Sequence, residues 1–475
     1  MPQSFGLLIN GKWIESQEKA VIRSPYDGRV VGTVSRASEK EMEAAITSAT
    51  AAFETTKILA AYEKSAILLG TVEGLRKARR ELVRTIVAEA GKPVTYAETE
   101  VERSILTFTI AAEEAKRIGG ELIPLEVAPS AAGRTGITRR FPLGPVAAVT
   151  PFNFPLNLVA HKVAPALAAG NSVIVRPASQ TPMSSLILGR ICMEAGVPKG
   201  GINVVPSSVE VAQKLVTDDR IKMLSFTGSD DVGWGLKSNC GKKKITLELG
   251  GNAAVVVHSD CDLDFAAQRI AVGGFAYAGQ ICISVQRIYV EEPVFVSFKR
   301  KFLRAIRKSV GVGDPRKRTT VVGPIIDSAS ADRIMEWIEE AKRGGADILC
   351  GGLRKGNIIE PTVLTNVGPR MRISCREAFG PVVTLDPYTD FEEALTQVNN
   401  SVYGLQAGVF TRDVRRINSA FCKLDVGGII INDYPTFRVD NMPYGGVKNS
   451  GLGREGVKYA IEEMTELKLL VLNMS

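Results

Sequence analysis

From Pro145 to Gly251 short apolar runs alternate with amphipathic segments without a break: VAAVT, LNLVAHKVAPALAAG, NSVIVRP, SSLILGRICMEAG, INVVP, VEVAQKLVTD, IKMLSFTG, DDVGWGLKSN, KITLELGG. Few folds accept that rhythm. The β-branched runs read as parallel strands and the longer segments as crossover helices, so the fold class is α/β with helices on both faces of a sheet. Ligands of such sheets bind at the carboxyl ends of the strands. Three loops in that position carry unusual residues: TPFNFP from Thr150, RPASQTP from Arg176, and FTGSDDVG from Phe226. The last runs from a strand into a helix start, where free backbone N–H groups can bind phosphate. No GxGxxG follows the first strand, so the usual dinucleotide fingerprint is missing.

The flanks extend this frame. Residues 7–34 alternate around Gly11 and the SPYDG turn, which predicts hairpins. From Ser38 to Gly119 the pattern is helical, with Ser38 as a cap and Glu41 three residues on. Residues 120–142 are strand-like, broken by Pro124, Pro129 and Gly133, and suit an arm leaving the body. After Gly251 a second α/β unit runs to about Gly428. A glycine-rich loop, a helix and the apolar strand LKLLVLN close the chain. An exposed apolar end strand suits a subunit contact.

Several classes of protein are excluded. The net charge of +8 is spread along 475 residues, and KKK at 242–244 and RKR at 316–318 are too short to form a nucleic-acid surface. The mild positive excess suits an anionic cofactor or substrate. Seven cysteines with wide spacings and no CxxC indicate reduced thiols in the cytoplasm, against a disulfide frame. With His161 and His258 as the only histidines, a His-rich metal centre is not expected. Neither a signal peptide nor a membrane span is expected.

The chemistry centres on GQICISVQR at 279–287, with Cys282 in its middle, and on Glu248 thirty-four residues earlier in TLELGG. A thiol and a carboxylate, each beside glycine in an apolar setting, read as a nucleophile and a base. At an ordinary thiol pKa of about 8.5, roughly 3% of Cys282 is thiolate at neutral pH. That suffices for attack on an aldehyde held in place. Alone, such a cysteine is more often a small core residue.

Together, TPFNFP, RPASQTP, FTGSDDVG, LELGG, GQICISVQR, REAFGPVV and PYGGVKNSGLGREG resemble the aldehyde dehydrogenase superfamily, in its order and spacing over nearly the whole chain. The resemblance implies a Rossmann-type cofactor domain at 1–119 and 143–248 and an α/β catalytic domain at 249–428. It assigns 120–142 and 429–475 to an oligomerisation arm and C-terminal segment, and implies a homodimer or homotetramer. Cys282 is then the nucleophile and Glu248 the base that activates water. Asn153, with the backbone N–H of Cys282, binds the oxyanion, and Lys162 stands behind the residues that touch substrate. The cofactor falls to Thr150, Pro151 and Phe152, to Arg176, Ala178 and Ser179, to Thr227, Gly228, Ser229 and Val232, and to Leu249 and Gly250. Glu377 is expected on the nicotinamide ribose with Phe379 beside it. Three positions depart from the family pattern: Phe152 replaces the usual Trp, PSSVE at 206–210 replaces the glycines often found there, and Arg376 replaces the usual acid.

Cofactor and substrate follow from the same resemblance. Members favouring NAD commonly carry Glu where Ser179 stands here, and Arg176 replaces the usual Lys, so NADP is expected ahead of NAD. Arg103 and Arg438 lie at or near positions where non-phosphorylating glyceraldehyde-3-phosphate dehydrogenases carry phosphate-binding groups, and Ile281 breaks that pattern. His161 lies where lactaldehyde dehydrogenases can carry a polar or charged group. Ile281 and Ile283 flank the thiol. A small anionic or hydroxylated aldehyde is expected, with the two arginines at a tunnel mouth. The alternatives are a CoA-acylating aldehyde dehydrogenase, a Cys–His thiol hydrolase and a non-enzymatic binding relative.

Overall fold

Helix Glu39–Thr56 starts where the sequence predicts. The Ser38 side chain accepts from the Lys40 N–H, and Glu41 returns to accept from the Ser38 N–H at 2.9 Å. The computed structural model describes residues 3–474. Among them an eight-stranded sheet has as its centre five parallel strands, in the order Lys244–Glu248, Met223–Thr227, Val146–Val149, Val173–Arg176 and Ile202–Val204. Met42, Ile46 and Ala49 of helix Glu39–Thr56 pack on one face with Ile174 and Leu224. Helices Ala61–Lys77, Val94–Glu114, Asn157–Ala169 and Met183–Glu194 bury their apolar sides on the other. Hairpin Leu7–Ile9 and Lys12–Ile14 extends one edge through an antiparallel pair with Ile202–Val204.

A second, seven-stranded sheet among the described residues has Ala253–Val257 and Val285–Glu291 at its centre and Val382–Tyr388 and Gln406–Phe410 beside them, all parallel. Strand Gly428–Ile431 pairs with Gln406–Phe410, so this unit runs on to Ile431, past the boundary of 428. The remaining C-terminal residues divide among several places. Gly451–Leu452 joins the first sheet antiparallel to Lys244–Glu248. Val457 and Ile461 of helix Val457–Glu463 enter the first core, because an apolar helix face needs cover. Thr465–Asn473 pairs with the arm, residue for residue along Arg134–Pro142. Leu467, Leu469 and Leu470 on that strand remain more than half exposed. No helix of the described residues is long and apolar enough to cross a membrane.

Candidate active site

Helix Leu263–Phe275 ends in a turn where three successive residues are left-handed: Tyr277 (φ 51°), Ala278 (φ 55°) and Gly279 (φ 68°). Gly279 is obligatory, since a Cβ there would lie 2.1 Å from the Gly380 carbonyl oxygen. Tyr277 and Ala278 each carry strain of about 1–3 kcal/mol. The surroundings hold the turn. The Tyr277 hydroxyl donates to the Ala90 carbonyl at 3.2 Å, the Gln280 side chain donates to the Pro324 carbonyl at 3.2 Å, and its oxygen accepts from the Ile326 N–H at 3.0 Å. The next residues, Ile281, Cys282 and Ile283, emerge into a cavity of about 240 Å³.

The Cys282 sulfur lies 3.0 Å from the Tyr444 hydroxyl. Burial pushes the thiol up to about 12, and the carboxylates of Glu377 and Glu248 act in the same direction; the Tyr444 hydrogen bond and the Arg438 charge act against it. The resting thiolate fraction is therefore far below the few per cent expected of an ordinary cysteine. Desolvation is the cause.

Glu248 ends strand Lys244–Glu248 with both carboxylate oxygens buried and without a hydrogen-bond partner. Burial raises its pKa well above the ordinary value, and the neighbouring charge of Glu455 adds to the rise. Burial also works to raise Glu455, but Lys162 and Arg438 outweigh it and hold that carboxyl at about 2. Lys162 donates to Glu455 at 2.9 Å and to the Ser225 hydroxyl at 3.1 Å. The Asn153 amide donates to the Gln280 carbonyl at 3.0 Å, which ties the first sheet's loop to the turn before Cys282. Behind it buried Glu100 accepts from the N–H groups of Leu156 and Asn157, at 2.9 and 3.1 Å, and is paired with buried Lys92. Helix Asn157–Ala169, which carries His161 and Lys162, is thus anchored at its start.

Both arginines line the cavity that holds Cys282. Arg438 is buried in the cavity wall, donates to Glu455 at 2.9 Å, and lies 3.6 Å above the Tyr444 ring; its Nε is buried and unpartnered. Arg103 lines the same cavity, its side chain 22% exposed, and grips Asp440 with two hydrogen bonds of 2.7 and 3.2 Å. His161 does not line the cavity. Its ring is 1% exposed and its Nε2 lies 2.7 Å from Asp440. Burial works to raise Asp440, but His161 and Arg103 hold it well below the usual carboxylate range. Burial lowers His161, and the Arg438 charge lowers it further.

Most of the residues expected to meet a cofactor line the carboxyl edge of the first sheet. Thr150, Arg176 and Thr227 follow or end its strands, and the Thr150 and Thr227 hydroxyls and the Arg176 Nε are buried without partners, as is the nearby Ser207 hydroxyl. Arg176 spends one donor on the Ser207 carbonyl at 3.0 Å. Pro151 and Phe152 are half-buried and Ala178 is buried; Ser179 and Val232 are exposed. Gly228 and Ser229 lead into helix Asp230–Asn239, and the Ser229 side chain makes no cap. Leu249 is held through its N–H by the Ser450 carbonyl at 3.0 Å. A Cβ on Gly250 would lie 2.6 Å from Glu377, which accepts from the Gly251 N–H at 2.9 Å; burial pushes Glu377 up to about 8. Phe379 meets Phe152 edge to face at 5.8 Å. A row of buried, unpartnered polar atoms along this edge fits a polar ligand such as a dinucleotide. Tyr444, Asp440 and Glu455 were not singled out in the sequence reading. Their signal was the density of polar residues within the glycine-rich loop that follows the second sheet.

Residues 13–470 match the model of the aldehyde dehydrogenase family. A 3-sulfolactaldehyde dehydrogenase from Priestia aryabhattai is 43% identical over 473 residues, 99% of this chain and 98% of that protein. Aldehyde dehydrogenase 21 from Physcomitrella patens, solved in complex with the reaction product succinate, superposes with a TM-score of 0.98 at 43% identity, covering 100% of this chain and 99% of that one. A glyceraldehyde-3-phosphate dehydrogenase from Methanocaldococcus jannaschii, complexed with NADP, gives a TM-score of 0.92 at 38% identity over 96% of this chain and 100% of that one.

Proposed function

The chain belongs to the aldehyde dehydrogenase family, and from that premise we propose that it oxidises a small aldehyde bearing an acidic group to the carboxylic acid, with NADP preferred and NAD usable. The observation that carries this reading is the meeting of the Cys282 thiol with the side chains of Arg438 and Arg103 around one small cavity. A charged group there gains charge-assisted hydrogen bonds while its aldehyde reaches the sulfur. The relatives support the substrate class: one is named for a sulfonate-bearing aldehyde, and another was solved with a dicarboxylate product.

In this reading the Cys282 thiol gives its proton to water, and the thiolate adds to the aldehyde carbon. The C–S bond forms and the carbonyl electron pair moves to oxygen. Asn153 has one amide hydrogen on Gln280 and a second to give to that oxyanion, together with the Cys282 N–H. The dinucleotide, when bound, supplies the acceptor for the hydride that leaves the same carbon. A thioester remains on Cys282. Glu248 takes a proton from water as its oxygen bonds to the acyl carbon; the C–S bond breaks and its electron pair returns to sulfur. The unpartnered Glu248 carboxylate supports water over a thiol as acyl acceptor. The test is reduction of the dinucleotide with succinic semialdehyde, lactaldehyde and glyceraldehyde 3-phosphate against propanal and hexanal, with and without CoA. Fastest turnover with hexanal, or an absolute need for CoA, would overturn the reading.

For the cofactor, Arg176→Ala is expected to lower kcat/KM for NADP about ten- to a hundredfold and to change that for NAD little. Ser179 adds no negative charge to repel a 2′-phosphate, and the buried Arg176 Nε has no partner. A wild-type kcat/KM that favours NAD would refute the preference. The exposed leucines of Thr465–Asn473 support pairing with a second copy. Light scattering of the intact protein should give a multiple of 51.1 kDa, and removal of residues 465–475 should lower it.

A further inference from the structure

We propose that Tyr444 is a catalytic residue whose hydroxyl donates a hydrogen bond to the Cys282 sulfur, both when the sulfur ionises to attack and when it leaves as the thioester is hydrolysed. The proposal rests on Cys282 being the nucleophile.

The sulfur and the phenol oxygen are 3.0 Å apart. In the resting thiol either atom can donate. Once the sulfur is ionised, only the phenol can. Neither histidine substitutes for it: His161 is bound to Asp440, and His258 sits between Asp260 and Glu291 at the far end of strand Ala253–Val257. The donor is also fixed in place. The Tyr444 ring is buried beneath the Arg438 guanidinium at 3.6 Å, and its backbone exchanges hydrogen bonds with Glu455, N–H to carbonyl at 3.0 Å and carbonyl to N–H at 2.6 Å. A phenylalanine would fill the same space and keep the stacking. The hydroxyl is the part that packing does not require.

The phenol keeps its own proton throughout. Burial holds its ionisation well above the ordinary value. During attack the sulfur gives its electron pair to the aldehyde carbon and ceases to be a good acceptor. During hydrolysis the C–S pair returns to sulfur, and the phenol again faces a developing negative charge. Nucleophilicity falls less steeply than thiolate fraction rises, so stabilising the thiolate gains rate below the thiol pKa.

Tyr444→Phe tests this in the ligand-free protein, without turnover. Alkylation of Cys282 by iodoacetamide is followed from neutral to mildly alkaline pH by mass mapping of its peptide. Exposed Cys422 serves as the internal control. In the variant, Cys282 is expected to react about three- to tenfold more slowly at each pH, while Cys422 and the melting temperature are unchanged. Equal or faster reaction of Cys282 overturns the proposal. Full dehydrogenase activity in Cys282→Ala would instead overturn the assignment of the nucleophile, whatever the alkylation shows.

Discussion

Cys282→Ala is expected to lose aldehyde oxidation by roughly 10⁶-fold, the scale seen when a covalent nucleophile is removed. Glu248→Gln should behave differently. Attack and the first turnover persist, so a burst of reduced dinucleotide remains, while steady-state turnover falls about 10²- to 10⁴-fold through loss of the base. The pH dependence follows from the raised pKa values. In the proposed role of base Glu248 acts only without its proton, and burial and Glu455 hold that proton on to a higher pH than usual. Hydrolysis of the thioester must then rise with pH through the raised value and fade below it. Burial of Cys282 places the requirement for its ionisation on the same side. Steady-state turnover should climb from mildly acidic to alkaline pH, and Glu248→Gln should flatten the limb that belongs to hydrolysis. A flat wild-type profile, or a glutamine variant with full steady-state turnover, would be incompatible with this assignment.

Much of this frame was legible before any coordinates. The alternation from Pro145 to Gly251 dictates parallel strands, and parallel strands put Thr150, Arg176, Thr227 and Glu248 on one edge whatever their sequence separation. The cap at Ser38 was readable because its partners lie within three residues. What could not be read depends on long-range neighbours. Nothing in the local sequence says that Tyr277 and Ala278 are left-handed, since neither residue type favours that region; the Gly380 backbone and the Ala90 carbonyl impose it. The same holds for charge. Arg103 meets Asp440 across 337 positions and His161 meets it across 279, so polar and charged side chains isolated in the sequence become members of a compensated cluster. The thiol shows the same dependence. Its neighbours in sequence leave the pKa at an ordinary value, and only the packing around the cavity brings the desolvation that raises it.

That compensated cluster makes Arg103 the sharper probe of substrate charge. Arg438 is buried against Glu455, and removing it leaves that buried carboxylate with one of its two cationic partners, Lys162, a change that damages the fold along with the site. Arg103 is partly exposed, and its loss leaves Asp440 held by His161 at 2.7 Å and by the Asn157 amide at 3.3 Å. Arg103→Ala should therefore fold. Its kcat/KM for succinic semialdehyde should fall about ten- to a hundredfold, the scale of one or two charge-assisted hydrogen bonds, with propanal nearly unaffected. The loss should lie mainly in KM, because the acidic group is bound alike in substrate and transition state. Arg103→Lys restores the charge without the planar fork, so it should recover only part of the loss. Equal losses for propanal and succinic semialdehyde would mean that Arg103 shapes the cavity and does not read the substrate's charge.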